Sequence, residues 1–362
     1  MAGGAFVYIS NGADGAIGCH RLGDDGALSL IGNVAAGPGL GPMTVRHDRR
    51  VLIAASRTQP TQFHSYAIDA STGELKLISR SSAHESFPYI FLDRQGHYLL
   101  AASYSASLVT VNAVGDDGMV KSPPLQVIPV GRSAHSIRLD ESNRYAFVPT
   151  LGSDQVFQFV FDPSSGRLAS NTPSIAMVKQ GSGPRHFITS SDNRFLYLLN
   201  EMHGTVTRFE LDVSTGLLSE KESVLGLPPD TPLVPGAARG PMFGAGTTNA
   251  PPPRNTDNDI WAADLHLAPD GRFLYASERT SHSIAVFAVD RSSGKLTWRS
   301  NTTTEKQPRG FAIDPSGKWM IAVGEKSDRI SVYAIDSSNG GLQSIGRYPG
   351  GNGASWVEIV IA

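Results

Sequence analysis

Apolar and polar residues alternate in short runs along the chain, and the segment Gly181–Asp212 shows this pattern clearly. Three apolar or alternating runs, Phe187–Ser190, Phe195–Leu199 and Thr205–Leu211, are separated by polar turn residues. Successive side chains of a β-strand point to opposite faces, so each run predicts a short strand with one face in the core. The segment therefore predicts three strands joined by tight turns.

The end of this segment recurs along the chain. An apolar run that ends in Asp, followed by a Ser/Thr/Gly-rich turn and Leu, occurs at Asp69, Asp162, Asp212, Asp290 and Asp336. From Asp162 onwards the spacings are 50, 78 and 46 residues, and the 93 residues before Asp162 leave room for two repeats. Repeats of this length with four short strands each are typical of β-propellers. We predict an all-β fold in which residues 1–362 form one seven-bladed β-propeller domain with four antiparallel strands per blade.

The two ends of the chain are predicted to meet in one blade. The first repeat, Phe6–Leu28, is incomplete, and the last apolar run, Trp356–Ile361, has no repeat of its own. We expect this run to join the first blade, which closes the ring and removes exposed sheet edges.

One interval between repeats is too long. The excess falls in Leu225–Asp259, a Pro/Gly-rich stretch between the fifth and sixth blades. The repeat continues in register afterwards, so we predict a long loop over one rim of the propeller rather than a linker between domains.

Polar residues recur at two positions of the repeat. The start of the innermost strand and the end of the second strand of a blade lie on the same rim, close to the central axis. The residues predicted at these positions, or next to them, are His135, Arg185, His186, Asp264, Arg309, Arg57, Tyr104, Glu201, Arg279, Glu325 and Lys326. A concave site with convergent polar groups is the usual place for a small ligand.

A purely structural interpretation also fits this rim. Charged residues are ordinary at strand ends, Arg185 could simply pair with Glu201, and Asp264 could cap a turn. The shared location of several such residues favours a site. The remaining histidines are a different case: we expect His20, His47, His64 and His97 to be exposed to solvent, and leave His84 and His266 open.

Composition excludes several classes of function. A formal net charge of -2 gives no overall attraction to nucleic acid or anionic membranes. The single cysteine, Cys19, excludes an intramolecular disulfide and a cysteine-rich metal site. No apolar stretch approaches the roughly 18 residues of a membrane helix, and no signal peptide is evident. We therefore predict a cytoplasmic protein. The Asp-Asp-Gly turns lack the spacing of a calcium loop, so we also predict no metal or other cofactor.

Three segments carry a family resemblance. GPRHFITSSDNRFLYLLNE, WAADLHLAPDGRFLYASERTSHSIAVF and QPRGFAIDPSGKWMIAVGEKSDRISVY resemble the seven-bladed lactonase family, which also includes fungal carboxy-muconate lactonizing enzymes. The resemblance implies hydrolysis of a sugar lactone, above all 6-phosphogluconolactone of the pentose phosphate pathway. It also implies four catalytic positions, which are His135, Arg185, Glu201 and Arg279.

Lactone hydrolysis suggests roles for these residues. A base must take a proton from water, and positive charge must stabilise the oxyanion. A carboxylate beside two guanidinium groups is a weak base, which favours His135 as the base and Glu201 as its orienting partner. Arg185 or Arg279 would stabilise the oxyanion. The expected substrate-binding residues are Tyr104, His186, Asp264, Arg309, Lys326 and Arg57.

Two alternatives remain open. The same four residues could act on a non-phosphorylated acid, as a carboxy-muconate-type lactonizing enzyme or lactonase. A non-catalytic propeller would instead bind a protein partner through an exposed aromatic or apolar rim, for which Tyr104, Trp261, Met242 and Phe243 are the candidates. For the enzyme, we expect a small-molecule lactone as partner and a monomer or weak homodimer.

Overall fold

Short antiparallel strands account for the regular structure in the part of the chain that the structure describes. The computed structural model describes residues 5–238 and 255–361, and this part of the chain contains strands, turns and loops but no helix. No segment of it forms a helix that is long and apolar enough to cross a membrane.

Most strands of the described residues are joined by short connections. In chain order they are β1 (Ala5–Asn11), β2 (Ala16–Leu22), β3 (Leu28–Ala35), β4 (Leu40–Val45), β5 (Val51–Ser56), β6 (Gln62–Ile68), β7 (Leu75–Ser82), β8 (Tyr89–Leu92), β9 (Tyr98–Ser103), β10 (Leu108–Ala113), β11 (Gln126–Pro129), β12 (Arg138–Leu139), β13 (Tyr145–Thr150), β14 (Gln155–Asp162), β15 (Arg167–Met177), β16 (Pro184–Thr189), β17 (Phe195–Asn200), β18 (Thr205–Asp212), β19 (Leu217–Leu225), β20 (Ala262–Leu267), β21 (Phe273–Glu278), β22 (Ser283–Val289), β23 (Leu296–Thr303), β24 (Pro308–Ile313), β25 (Trp319–Gly324), β26 (Arg329–Ile335), β27 (Leu342–Pro349) and β28 (Ala354–Ile361).

These strands form seven sheets of four, which confirms the predicted seven-bladed propeller. Blade one has the order β28-β1-β2-β3, and blades two to seven take the remaining strands four at a time. Strand β28 pairs with β1 in antiparallel register, with Ala5 opposite Ile361 and Ser10 opposite Trp356. The predicted closure of the first blade by the last strand is therefore confirmed.

The innermost strands surround a central channel. Residues of β4, β8, β12, β16, β20, β24 and β28 together line a cavity of about 270 Å³ along the axis. Each blade thus contributes one strand to the channel, and the start of that strand lies at the rim.

Neighbouring blades are held together by a contact that repeats around the ring. Gly216, in a turn of blade five, has a φ of +71°, and a Cβ there would lie 2.1 Å from the Tyr145 ring of blade four. The Tyr145 hydroxyl donates a hydrogen bond to the carbonyl of Ser214 in the same turn at 2.7 Å, and the Tyr197 hydroxyl of blade five donates one to the carbonyl of Gly294 in blade six at 3.0 Å. The aromatic residues and turn glycines of the sequence repeat therefore form the interfaces between blades.

A register irregularity recurs at the start of the innermost strand. In blade five Pro184 pairs with Asn200 and Phe187 with Leu198, which leaves two residues on β16 opposite one on β17. Comparable irregularities occur in blades two, six and seven. An extra residue of this kind bends the strand and redirects its side chains. In blade five it frees Arg185 and His186 from the regular ladder.

The long loop is only partly described. Strand β19 ends at Leu225 and β20 begins at Ala262, and between them residues 226–238 and 255–261 are described. These two arms pair with each other at Val234 and Asp259. Gly236 donates its N–H to the carbonyl of Met202, so one arm lies against the rim of blade five. Residues 239–254, including Met242 and Phe243, lie outside the described residues.

Two of the histidine predictions were wrong. His20 and His64 are only 4% and 2% exposed, because β2 and β6 are third strands whose two faces are covered. His47 and His97 are exposed as predicted. His84 is also exposed, and His266 is partly buried in the channel.

Candidate active site

The rim positions predicted from the repeat are found at the ends of second strands. The residues that directly follow β5, β9, β13, β17, β21 and β25 are Arg57, Tyr104, Leu151, Glu201, Arg279 and Glu325. They end at one rim because the second strand of every blade runs in the same direction along the axis.

Glu201 is the centre of a buried cluster. Its Oε2 accepts a hydrogen bond from Arg185 Nε at 2.6 Å and lies 3.1 Å from Arg279 Nη2. Its Oε1 accepts a hydrogen bond from Trp261 Nε1 at 3.0 Å. Both carboxylate oxygens are thus engaged with protein donors. We call Arg185, Glu201, Trp261 and Arg279 the buried wall.

Arg185 is held at several atoms. Besides the bond to Glu201, its Nη1 donates to the carbonyl of Ala263 in blade six and lies 3.0 Å from His186 Nε2. Its Nη2 has no hydrogen bond to residues 5–238 or 255–361. The structure therefore leaves one nitrogen of this guanidinium available to a ligand.

Arg279 is fixed in a comparable way. Its Nε donates to the carbonyl of Trp261 at 3.0 Å and its Nη2 to that of Ala262 at 3.1 Å. The guanidinium carbon lies 3.6 Å from the centre of the Trp261 ring, a cation–π contact that fixes both side chains. Nη1 makes no hydrogen bond within the described part of the chain.

His135 and Tyr104 lie beside the buried wall. The His135 ring packs edge-on against His186 and Tyr104, with centroid distances of 5.1 and 5.7 Å. Its Nδ1 is buried and has no hydrogen-bond partner among the described residues. An imidazole nitrogen without a protein partner can take a proton from a bound water or substrate.

Burial and charge control ionisation in this cluster. Burial, together with the positive charge of Arg185, holds the pKa of His135 well below its ordinary value and lowers that of His186 to about 3. Burial lowers the pKa of Arg279 to about 9, with Glu201 counteracting it. At neutral pH the cluster therefore contains neutral imidazoles and charged guanidinium groups.

A second group of cations lines an open cavity on the same rim. This cavity of about 570 Å³ is bordered by Arg57, Arg309, Glu325 and Lys326, and by Trp261 from the buried wall. Arg309 Nη1 donates to Glu325 Oε1 at 2.9 Å. We call Arg57, Arg309, Glu325 and Lys326 the open wall. It combines three cations with one carboxylate around a space of ligand size.

The predicted site residues therefore occupy three places. His135, Arg185, Glu201 and Arg279 come together, with Tyr104 beside them. Arg57, Arg309 and Lys326 line the neighbouring cavity. The structure places His186 and Asp264 in the channel instead, where His186 Nδ1 and Asp264 Oδ1 are 2.9 Å apart. There they form hydrogen bonds with other protein groups, and the substrate-binding role predicted for them stays a prediction.

Two features escaped the sequence reasoning. The sequence offers Trp261 only as a candidate for an exposed rim patch, whereas it packs on Arg279 and donates a hydrogen bond to Glu201. The sequence pattern does not single out Gly41, although a Cβ on it would lie 2.7 Å from Arg57 Cδ. The position of Trp261 directly before an inner strand was the available signal for the first feature.

The fold and the rim together define a β-propeller with a polar, cation-rich candidate site at one end of its channel. The family model described as "Lactonase, 7-bladed beta-propeller" matches residues 6–359, and the chain belongs to this family.

Full-length relatives support this assignment. The chain is 34% identical to a 6-phosphogluconolactonase of Serratia proteamaculans and 35% identical to one of Photorhabdus laumondii, with 98% of each chain covered in both cases. Among solved structures, the periplasmic gluconolactonase of Pseudomonas aeruginosa superposes with a TM-score of 0.83 at 26% identity, over 98% of this chain and 99% of that one.

Proposed function

We propose that this protein hydrolyses 6-phosphogluconolactone to 6-phosphogluconate. The observation that carries the proposal is the pairing of two different cationic surfaces on one rim. The buried wall offers fixed guanidinium groups beside a neutral histidine, and the open wall offers accessible positive charge around a cavity. A phosphorylated lactone needs both kinds of surface, and full-length relatives carry the corresponding name.

The buried wall fits the chemical step. The neutral His135 imidazole takes a proton from water as the water oxygen attacks the lactone carbonyl carbon. The carbonyl oxygen becomes an oxyanion, which Arg185 Nη2 and Arg279 Nη1 stabilise. The intermediate then collapses, the ring C–O bond breaks, and the departing ring oxygen takes the proton from His135. Glu201 orients both arginines, because its Oε2 contacts Arg185 Nε and Arg279 Nη2 while its Oε1 accepts a hydrogen bond from Trp261.

The open wall fits the phosphate. Arg57, Arg309 and Lys326 provide charge-assisted donors for a phosphate monoester at the edge of the cavity. Glu325 holds Arg309 in place at 2.9 Å. Positive charge that is accessible to solvent suits a group that is bound and released without reacting.

A second candidate substrate is an unphosphorylated sugar lactone. The structural likeness to the gluconolactonase of Pseudomonas aeruginosa favours it. It would use the buried wall in the same way and the open wall little. A protein-binding rim has less support, because Tyr104 packs against His135 and Trp261 against Arg279.

Base consumption at neutral pH tests the proposal. We expect the wild-type protein to accelerate hydrolysis of 6-phosphogluconolactone above the spontaneous rate, with a higher kcat/KM than for gluconolactone. Arg185→Ala should lower kcat by about 100- to 1000-fold, as loss of one oxyanion donor does. His135→Gln should lower it by about 100-fold or more.

Arg194→Ala is the matched control. Arg194 is exposed in a turn of blade five and paired with Asp192, so its loss should leave kcat unchanged. A wild-type rate equal to the spontaneous one would exclude this substrate. Arg185→Ala and His135→Gln at the wild-type rate would exclude the assigned roles.

We also propose a cytoplasmic protein that is a monomer or weak homodimer. Cell fractionation and light scattering across a range of protein concentrations check these two points. Secretion of the protein, or a stable larger oligomer, would contradict them.

A further inference from the structure

Arg185 is the one arginine of the buried wall that is linked to groups deeper in the channel. Its Nη1 lies 3.0 Å from His186 Nε2, and His186 Nδ1 lies 2.9 Å from Asp264 Oδ1. The catalytic scheme proposed above gives no task to His186 or Asp264. A substitution of either residue would nevertheless remove a hydrogen bond, from Arg185 in the case of His186 and from His186 in the case of Asp264.

The direction of each hydrogen bond follows from Arg185. A guanidinium group only donates, so His186 Nε2 must accept and therefore carries no proton. The proton of the neutral imidazole is then on Nδ1, which donates it to the carboxylate of Asp264. Arg185 and Asp264 together thus select one tautomer of His186.

Asp264 is itself anchored in blade six. Its N–H donates to Ser277 Oγ at 3.0 Å, and its Oδ1 also accepts the N–H of Leu265 at 3.0 Å. Its Oδ2 lies 3.1 Å from His266 Nε2. Burial raises the pKa of Asp264, but the attraction of His266 and the hydrogen bonds from His186 and His266 outweigh this and hold it well below its ordinary value.

The arrangement requires a neutral His186. Protonation would place a second positive charge 3.0 Å from Arg185 Nη1 and remove the acceptor. The charged or titratable groups that face His186 come from five blades: Arg185 of blade five, Asp264 of blade six, His135 of blade four, Arg309 of blade seven and Tyr89 of blade three. Burial is the main reason that the pKa of His186 falls to about 3.

We propose that Asp264 and His186 are positioning residues that fix the guanidinium plane of Arg185. Glu201 holds Nε, while His186 and the carbonyl of Ala263 hold Nη1, so Nη2 is the nitrogen left to face the reacting carbonyl oxygen. A donor fixed before the substrate binds loses no further freedom in the transition state. This inference rests on the proposed lactonase function.

Two isosteric substitutions separate the two hydrogen bonds of His186. His186→Gln keeps an acceptor near the position of Nε2 and loses the bond to Asp264. His186→Asn keeps a donor near Nδ1 and loses the acceptor for Arg185. We expect His186→Asn to lower kcat by about 100-fold with little change in KM, as a small misplacement of a catalytic group does. His186→Gln should lose less than about 10-fold, and Asp264→Asn should fall between the two.

His64→Gln is the control for mere loss of a buried histidine. His64 Nδ1 accepts a hydrogen bond from Arg80 Nε at 3.3 Å on the third strand of blade two, and it lines neither the channel nor the open cavity. This variant should lose stability and keep kcat. Equal losses in His186→Asn and His186→Gln, or losses confined to KM, would overturn the positioning role.

The tautomer can be tested without substrate. Long-range ¹H–¹⁵N NMR correlations of the wild-type protein should show His186 protonated on Nδ1 at neutral pH, with the signal assigned by its loss in His186→Gln. An Nε2-protonated ring or an imidazolium would overturn the inference. If the wild-type protein fails to hydrolyse any lactone while this tautomer is observed, the proposed function fails and the hydrogen-bond arrangement stands.

Discussion

The two walls of the rim both combine cationic side chains with one glutamate, but the charges of one wall are buried and those of the other are open to solvent. In the buried wall, Arg185, Glu201 and Arg279 are 1%, 5% and 2% exposed, and each contacts another charge of the wall. In the open wall, Arg57 and Lys326 are exposed, and Arg309 is partly exposed beside Glu325. Buried charges act through a low dielectric and keep a fixed geometry, whereas exposed charges are screened and mobile. Under the proposed function, this difference fits the buried wall to the chemical step and the open wall to phosphate binding.

Removing the central anion should break the buried wall. Glu201→Gln keeps the shape of the side chain but leaves two buried guanidinium groups without a counter-ion. Loss of one partner of a buried ion pair typically costs about 3–5 kcal/mol. We expect a loss of this size in the free energy of unfolding, measured by urea denaturation.

Glu325→Gln is the matched control in the open wall. Its ion pair with Arg309 is partly exposed, and such pairs contribute about 1 kcal/mol or less. Equal losses in the two variants would show that the two walls do not differ in the way proposed here.

Removing exposed charge should affect binding rather than chemistry. Arg57→Ala combined with Lys326→Ala should raise KM for 6-phosphogluconolactone by about 10-fold or more and leave kcat within about 2-fold. KM for gluconolactone should not change. A fall in kcat with both substrates would place these two residues in the chemical step.

The pH dependence of kcat should separate the walls further. Burial keeps His135 unprotonated below its ordinary pKa, so kcat should change by less than about 2-fold between pH 7.5 and 6. A histidine with the ordinary pKa of about 6.5 would instead lower kcat about fourfold at pH 6. The substrate phosphate titrates near pH 6, so kcat at saturating substrate is the quantity to measure, with KM followed separately.

A single methyl group should produce the smallest effect. Gly41→Ala places a Cβ 2.7 Å from Arg57 Cδ, so the arginine side chain must shift along the open wall. The φ of Gly41 is not in the left-handed region, and the backbone can accept alanine. We expect KM for the phosphorylated lactone to rise by about 2- to 5-fold at constant kcat. An unchanged KM would show that the position of Arg57 is unimportant.

The sequence predicts the architecture better than the contacts of the site. The repeat places Arg185, Glu201 and Arg279 on one rim, because each blade copies the same strand order. It does not reveal that Arg185 reaches the carbonyl of Ala263, which lies 78 residues further along the chain. It also misses the depth of His186 and Asp264, because that depth depends on an irregularity of strand register that the apolar pattern does not encode.

The closure of blade one has a consequence for how the chain is made. Strand β1 is complete at Asn11, but its inner neighbour β28 begins only at Ala354. At about 5–20 residues per second, a ribosome needs roughly 20 to 70 s to cover that distance. During this interval the edge of β1 is open to pairing with other strands. Because the chain is made from its N-terminus, the first blade is the last to be completed. The edge of β1 is therefore the strand edge that stays unpaired longest in the nascent chain, where it can pair wrongly or bind chaperones.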